Sequence, residues 1–177
     1  MSETSVNTSK ELDLLKKVKV KNVSNVDCYF RAIETMGDHK VAKKSEVLFT
    51  IGEIMAQIYV GNPSFIGVDG KGSHADLYIM DRQVRVEAGF ESEDGKVTQE
   101  VVDEKAIIEL FKIDKLDVFA ETLKSKVQTI GEKQTLRDVI ASDKVNEHDR
   151  IQIAGKYLRG EPIDIPKRNP GRPKKND

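Results

Sequence analysis

Tryptophan is missing from this chain, cysteine occurs once, and aromatic residues make up only 6% of it. Any core must therefore rest on Ile, Val, Leu and a few Phe. The single Cys28 cannot form an internal disulfide, which fits a reducing compartment. No apolar run approaches the ~20 residues that a membrane-spanning helix needs. The opening stretch, Met1 to Lys10, has neither the basic nor the apolar region of a secretory signal. The chain is expected to be neither secreted nor membrane-bound. Residues 1–12 are polar and aperiodic and are expected to be a disordered lead-in.

What is present is charge. Of 177 residues, 33% are Asp, Glu, Lys or Arg and 38% are hydrophobic, within the range of a globular protein. The length suits one ordinary domain or two small lobes. Lys17-Val18-Lys19-Val20-Lys21 alternates strictly, which predicts a half-buried or edge strand with lysines on one face; the edge is favoured, since lysines there discourage further pairing, and a strip that tracks phosphates is the alternative. Cys28 to Ile33 reads as a return strand, Met36-Gly37-Asp38 as a break, and Glu46-Val47-Leu48-Phe49 as a third strand. Thr50-Ile51-Gly52-Glu53 has the capping-box spacing, and Ile51, Ile54, Met55 and Ile58 follow as one helical stripe, ended by Gly61-Asn62-Pro63. Leu77 to Met80 and Gln83 to Glu87 around Asp81-Arg82 predict a hairpin.

From about residue 103 the hydrophobic period lengthens from two to three and four. Asp103 can cap a helix bearing Ile107, Leu110 and Phe111; Asp114 a second with Leu116, Phe119, Ala120 and Leu123. Thr129-Ile130-Gly131-Glu132 is another capping box, before Leu136, Val139 and Ile140. Asn146 can cap a fourth helix, with Ile151, Ala154, Tyr157 and Leu158, closed by Gly160 and Pro162. The expected class is α+β: a β-rich N-terminal lobe over residues 13–100 with one packed helix, a small helical bundle over 101–162, and a disordered basic tail over 163–177.

Candidate chemistry is sparse. Gly70-Lys71-Gly72-Ser73 lacks the spacing of a phosphate-binding loop. His39, His74 and His148 stand far apart, with no His or Cys three or four residues from any of them, so no metal site is expected. Cys28 reads as a small core residue rather than a nucleophile, and Glu91, Glu93 and Asp94 as a solvated loop tip. The opening of the last helix, Val145 to Arg150, is too acidic for a DNA-recognition helix. No catalytic residue, metal or cofactor is expected, and the chain reads as no enzyme.

The strongest signal is the terminal stretch Lys167-Arg168-Asn169-Pro170-Gly171-Arg172-Pro173-Lys174-Lys175-Asn176-Asp177. Five Lys/Arg and one Asp give it a charge of +4; with a chain total of -1, residues 1–166 carry -5. Such an asymmetry suggests a polyanion-binding arm. Its centre, Gly171-Arg172-Pro173-Lys174-Lys175, resembles an AT-hook, which enters the minor groove of A·T-rich DNA; Pro170 stands where that motif has its first arginine, so one of its two groove-inserting arginines is absent. The resemblance implies nucleic-acid-binding residues Lys167, Arg168, Gly171, Arg172, Pro173, Lys174 and Lys175. An arm that docks on an acidic protein surface, or that only keeps the chain in solution, fits the same composition.

The succession Val18 to Asn22, Tyr29-Phe30, the strand into Thr50-Ile51-Gly52-Glu53, and Asp149-Arg150-Ile151-Gln152-Ile153-Ala154 looks like small accessory proteins of tailed bacteriophages. That resemblance implies a non-enzymatic viral protein in the host cytoplasm or the virion. Its partners would be nucleic acid, either A·T-rich DNA or any sequence, through the tail; the alternative is a virion structural or assembly protein acting through protein–protein contacts. An oligomer is compatible with either.

Overall fold

The structure, a computed structural model, describes residues 12–163 and residue 165. Its sheet begins with β1 (Lys17–Asn22), whose alternation buries Val18, Val20 and Asn22 and leaves Lys17 and Lys19 exposed. β1 is not at an edge. It is the middle of a three-stranded antiparallel sheet, between β4 (Glu46–Thr50) and β5 (Leu77–Ile79), with Val20 opposite both Val47 and Ile79. Alternation reports which face of a strand meets solvent, not how many strands flank it. The lysine strip is thus the open face of a central strand, where Lys19 pairs with Glu46 at 3.1 Å. A separate two-stranded ribbon joins β2 (Cys28–Arg31) to β3 (Asp38–Val41). The sequence reading missed β3 because Asp38-His39-Lys40-Val41 has a single apolar residue.

β4 runs directly into α1 (Ile51–Tyr59). Thr50 accepts the amide of Glu53 at 3.2 Å, as a cap should, but Glu53 does not reach back to Thr50. Its carboxylate instead takes the amides of Ile33 and Glu34 (3.0 and 2.8 Å) and Nε2 of Gln57 at 2.7 Å, tying the hairpin turn to the helix. Half of the expected capping box has been spent on a tertiary contact. Asn62 then caps the short α2 (Pro63–Ile66), with proline at the first turn where its missing amide costs nothing.

The predicted hairpin after residue 77 is corrected: its first arm is β5, but its second is helix α3 (Arg82–Glu87). Asp81 accepts the amides of Gln83 and Val84 and starts a helical turn. Val84-Arg85-Val86 is too short to distinguish the two periods, and a buried Arg85 settles it by donating to the Ile79 carbonyl at 2.6 Å and to Glu91 at 2.8 Å. The front lobe therefore carries α2 and α3 in addition to the expected α1. Its core is built from Val20, Phe49, Ile51, Ile54, Phe65, Leu77 and Ile79, and the Phe30, Phe49, Phe65 and His39 rings stack at 4.9 to 5.6 Å.

Four helices follow: α4 (Glu104–Leu110), α5 (Leu116–Lys126), α6 (Ile130–Ala141) and α7 (His148–Arg159). α4 packs on α6 and α5 on α7 around Ile107, Phe111, Phe119, Leu123, Leu136 and Ile153, a second core distinct from the first. Asp103 caps α4 through the Ala106 amide, and Thr129 with Glu132 forms the complete capping box of α6. Asp114 and Asn146 do not cap. α5 and α7 begin after Lys115 and Glu147 with no side-chain cap bond, and Asp117 and Asp149 in their first turns face the helix dipole instead. The α+β class is as the sequence implies: a small antiparallel sheet with short helices, then a helical bundle.

Candidate functional site

The arm residues Lys167, Arg168, Gly171, Arg172, Pro173, Lys174 and Lys175 all lie outside the described residues. What the structure does place is their point of attachment. α7 ends at Gly160 in the left-handed conformation (φ 70°), and Ile163 and Ile165 pack back against the helical core. The basic stretch therefore starts two residues beyond a chain anchored on the helical lobe.

The chemistry that the described residues do bring together sits between the two cores. Gly67 lets the loop after α2 close on itself: its φ is 65°, and a Cβ there would stand 1.9 Å from the Ser73 carbonyl oxygen. His74, at the end of this loop, holds φ 61°, a conformation costing a non-glycine residue roughly 1–3 kcal/mol. That strained backbone aims the imidazole at α6. Its Nδ1 lies 2.7 Å from Oε1 of Glu132, and its Nε2 lies 3.4 Å from the Gln128 amide and 3.9 Å from Glu100. Oε2 of Glu132 meanwhile accepts the amides of Gln128 and Thr129. Asp76 stands against the same helix end, beside Gly131; burial, and then the charge of Glu132, push its carboxyl above the usual range despite a hydrogen bond from Ser24.

A histidine between two carboxylates is the arrangement of a proton relay. Here it is closed: the His74 and Glu132 side chains are 8% and 5% exposed, and both ring nitrogens face side chains of the protein itself. It is a strut between lobes. Asn25 to Asp138 at 2.5 Å, Lys126 to Glu100 at 2.6 Å, and Lys44 and Lys144 converging on Glu104 complete the seam.

The other candidates resolve into structural roles. Cys28 is buried, and burial together with the charges of Asp76 and Asp27 pushes its thiol up to about 12, so it is no nucleophile. In the glycine loop, the amides of Lys71 and Ser73 are turned onto Oδ1 of Asp69 at 2.7 and 3.1 Å and are not free to cradle a phosphate. The acidic tip is split, Glu91 bound to Arg85 and Asp94 to Lys96. Among the described residues no three His, Cys, Asp or Glu side chains group as they would around a metal ion. None of their helices is long and apolar enough to cross a membrane.

Sequence reasoning missed the His74–Glu132 tie. The partners are 58 positions apart, and the capping box had already accounted for Glu132. Comparison with models of protein families, with curated proteins and with solved structures gives no match to this chain.

Proposed function

We propose that the protein is a non-enzymatic accessory protein of the tailed-phage type that contacts nucleic acid through the basic arm, residues 167–177. The observation that carries this reading is the charge distribution, +4 on the arm against -5 on residues 1–166. An acidic body repels a polyanion, so the arm is where attraction concentrates. Lys167, Arg168, Lys174 and Lys175 would meet phosphates, and Arg172, followed by a proline, which disfavours the helical region for its predecessor, would enter a narrow A·T-rich minor groove. The enclosed His74–Glu132 pair and the inert Cys28 support a body that scaffolds rather than catalyses.

The test is fluorescence anisotropy of labelled duplexes against the full chain and a chain lacking 167–177. Deletion should remove most affinity and leave thermal stability unchanged. The slope of log K against log salt should be no steeper than about -4.5, at ~0.9 per neutralised phosphate. Arg172→Ala should lose more affinity than Lys174→Ala, and more on A·T-rich than on G·C-rich duplex. Undiminished binding after the deletion, or no binding at low salt, refutes the reading. A second reading, a virion structural or assembly protein, is favoured by the large apolar side chains left open at the end of α1, Tyr59 at 92% exposure and the following Val60 at 62%.

A further inference from the structure

Helix α1 turns one apolar stripe to its core and leaves a large apolar ring open at its end. Ile51 and Ile54 are buried, Met55 and Ile58 half-buried, and Tyr59 exposed. Tyr59 and Leu14, with the open edges of Met55 and Ile58, line a groove of about 430 Å³ whose rim carries Glu34 and Glu87. A second apolar groove, of about 540 Å³, lies between α6 and α7 on Ile140, Ile151 and Leu158, and its rim is basic: Arg137, Lys156 and Arg159. Arg159 is held by Glu161, whereas Arg137, Lys156, Glu34 and Glu87 form no ion pair among the described residues.

Gly155, in the α6–α7 groove, points the same way. Of the other two helical glycines, Gly131 is needed by the fold, since a Cβ there would lie 2.3 Å from the Asp76 carboxylate and 3.0 Å from Ser24 Cβ, whereas one at Gly52 would meet only the flexible end of the exposed Glu34, at 2.4 Å. At Gly155 a Cβ would meet only the flexible end of Arg159, at 3.2 Å. A glycine in mid-helix weakens the helix, and no contact among the described residues requires this one. Its missing side chain leaves room for something outside.

We propose that the α1 face of one copy docks into the α6–α7 groove of a second copy of this chain. Both surfaces are apolar, and their rims carry opposite charge. Nucleic acid fits the second groove less well, because its floor of Ile140, Ile151 and Leu158 is apolar and phosphates would meet only the rim. The two surfaces belong to different lobes and are not the same patch. The contact is therefore heterologous and repeats, closing into a ring or running on as a filament. It does not depend on the arm.

The test is sedimentation velocity of the full chain, free of nucleic acid, across a range of concentrations. Association beyond a dimer is expected. Reversing the acidic rim (Glu34→Lys with Glu87→Lys) or the basic rim (Arg137→Glu with Lys156→Glu) should each leave monomers, and mixing the two variants should restore association. Tyr59→Ser, at a position too exposed to matter for folding, should weaken association at least tenfold and decides the matter if a rim variant misfolds. Gly155→Ala should raise the melting temperature while weakening association. A wild type that stays monomeric or stops at a dimer overturns the proposal. So do rim or Tyr59 variants that associate like wild type, a mixture that fails to recover, or a Gly155→Ala that associates undiminished.

Discussion

Replacing Glu132 by alanine removes one side chain from three partners at once. Oε2 accepts the amides of Gln128 and Thr129 at 2.6 and 2.9 Å, and Oε1 holds His74 Nδ1 at 2.7 Å. The two amides lie at a helix start near solvent and would partly rehydrate, at a cost of about 1 kcal/mol each. His74, only 8% exposed, cannot rehydrate, and losing its charged partner adds ~1.5–3 kcal/mol. Glu132→Ala should therefore destabilise the protein by roughly 3–5 kcal/mol, a large part of the ~5–15 kcal/mol that holds a typical domain. Thr129→Ala removes only the hydroxyl half of the same capping box and should cost about 1 kcal/mol. Urea denaturation followed by far-UV circular dichroism measures both. Hydrogen exchange should show where the loss falls, with faster exchange at the amides of Gln128 and Thr129 and through the loop that carries His74. If Glu132→Ala costs no more than Thr129→Ala, the carboxylate does not tie the lobes and the seam has been misread.

Gly131→Ala should destabilise by about 1–3 kcal/mol through overpacking, in spite of alanine's better helix propensity, because its Cβ would stand 2.3 Å from Asp76 Oδ1 and 3.0 Å from Ser24 Cβ; a neutral effect in the same denaturation assay would refute that close approach. Cys28, its thiol pushed up to about 12, should resist alkylation in the native protein at mildly alkaline pH and react only on unfolding; stoichiometric native labelling within minutes would contradict its burial. Lys144 and Lys44 hold the Glu104 carboxyl down at about 2, below its usual ~4.3, so its stabilisation is present above that usual value and is lost as pH falls through the folded value. The lysines are half exposed, so Glu104→Gln should cost only ~0.5–1 kcal/mol at neutral pH, less in high salt, and the difference from wild type should vanish toward pH ~2. A difference that stays constant with pH would remove Glu104 from the seam.

Where the sequence could be read, it was read through short-range chemistry. Thr129 with Glu132, and Asp103 before Ala106, are caps whose partners lie three residues apart, and both stand as their spacing implies. Val18 and Val20 are buried as their alternation requires. Most of the failures depended on a partner that no local spacing announces. β1 is central because β4 and β5 arrive on its two sides from later in the sequence. Glu53 abandons the Thr50 amide because the turn after β2 offers it Ile33 and Glu34. Residues 82–87 form a helix because Arg85 reaches the Ile79 carbonyl and Glu91, a pair of bonds that no two-residue period announces. The His74–Glu132 strut has the same character, as do the two grooves, whose opposite rims are assembled from residues that no local motif groups.

The arm and the grooves are separate surfaces, and their combination has a measurable consequence. A single arm has at most five cationic contacts, which makes it a weak ligand at physiological salt. Copies joined head to tail would present one arm each along a common line, and the second arm would bind at the raised effective concentration set by the first. Binding to a long duplex should then rise cooperatively with protein concentration, while binding to a duplex too short for two arms should follow a simple hyperbola. Reversing the basic rim with Arg137→Glu and Lys156→Glu should abolish the cooperativity on the long duplex, whereas on the short duplex it should cost only the modest, salt-screened affinity that a more acidic body takes away, since neither residue belongs to the arm. Deleting 167–177 should do the opposite, removing affinity for both duplexes while association in the ultracentrifuge persists. Cooperativity that survives the rim reversal would mean that the arms themselves, or the DNA, couple the copies.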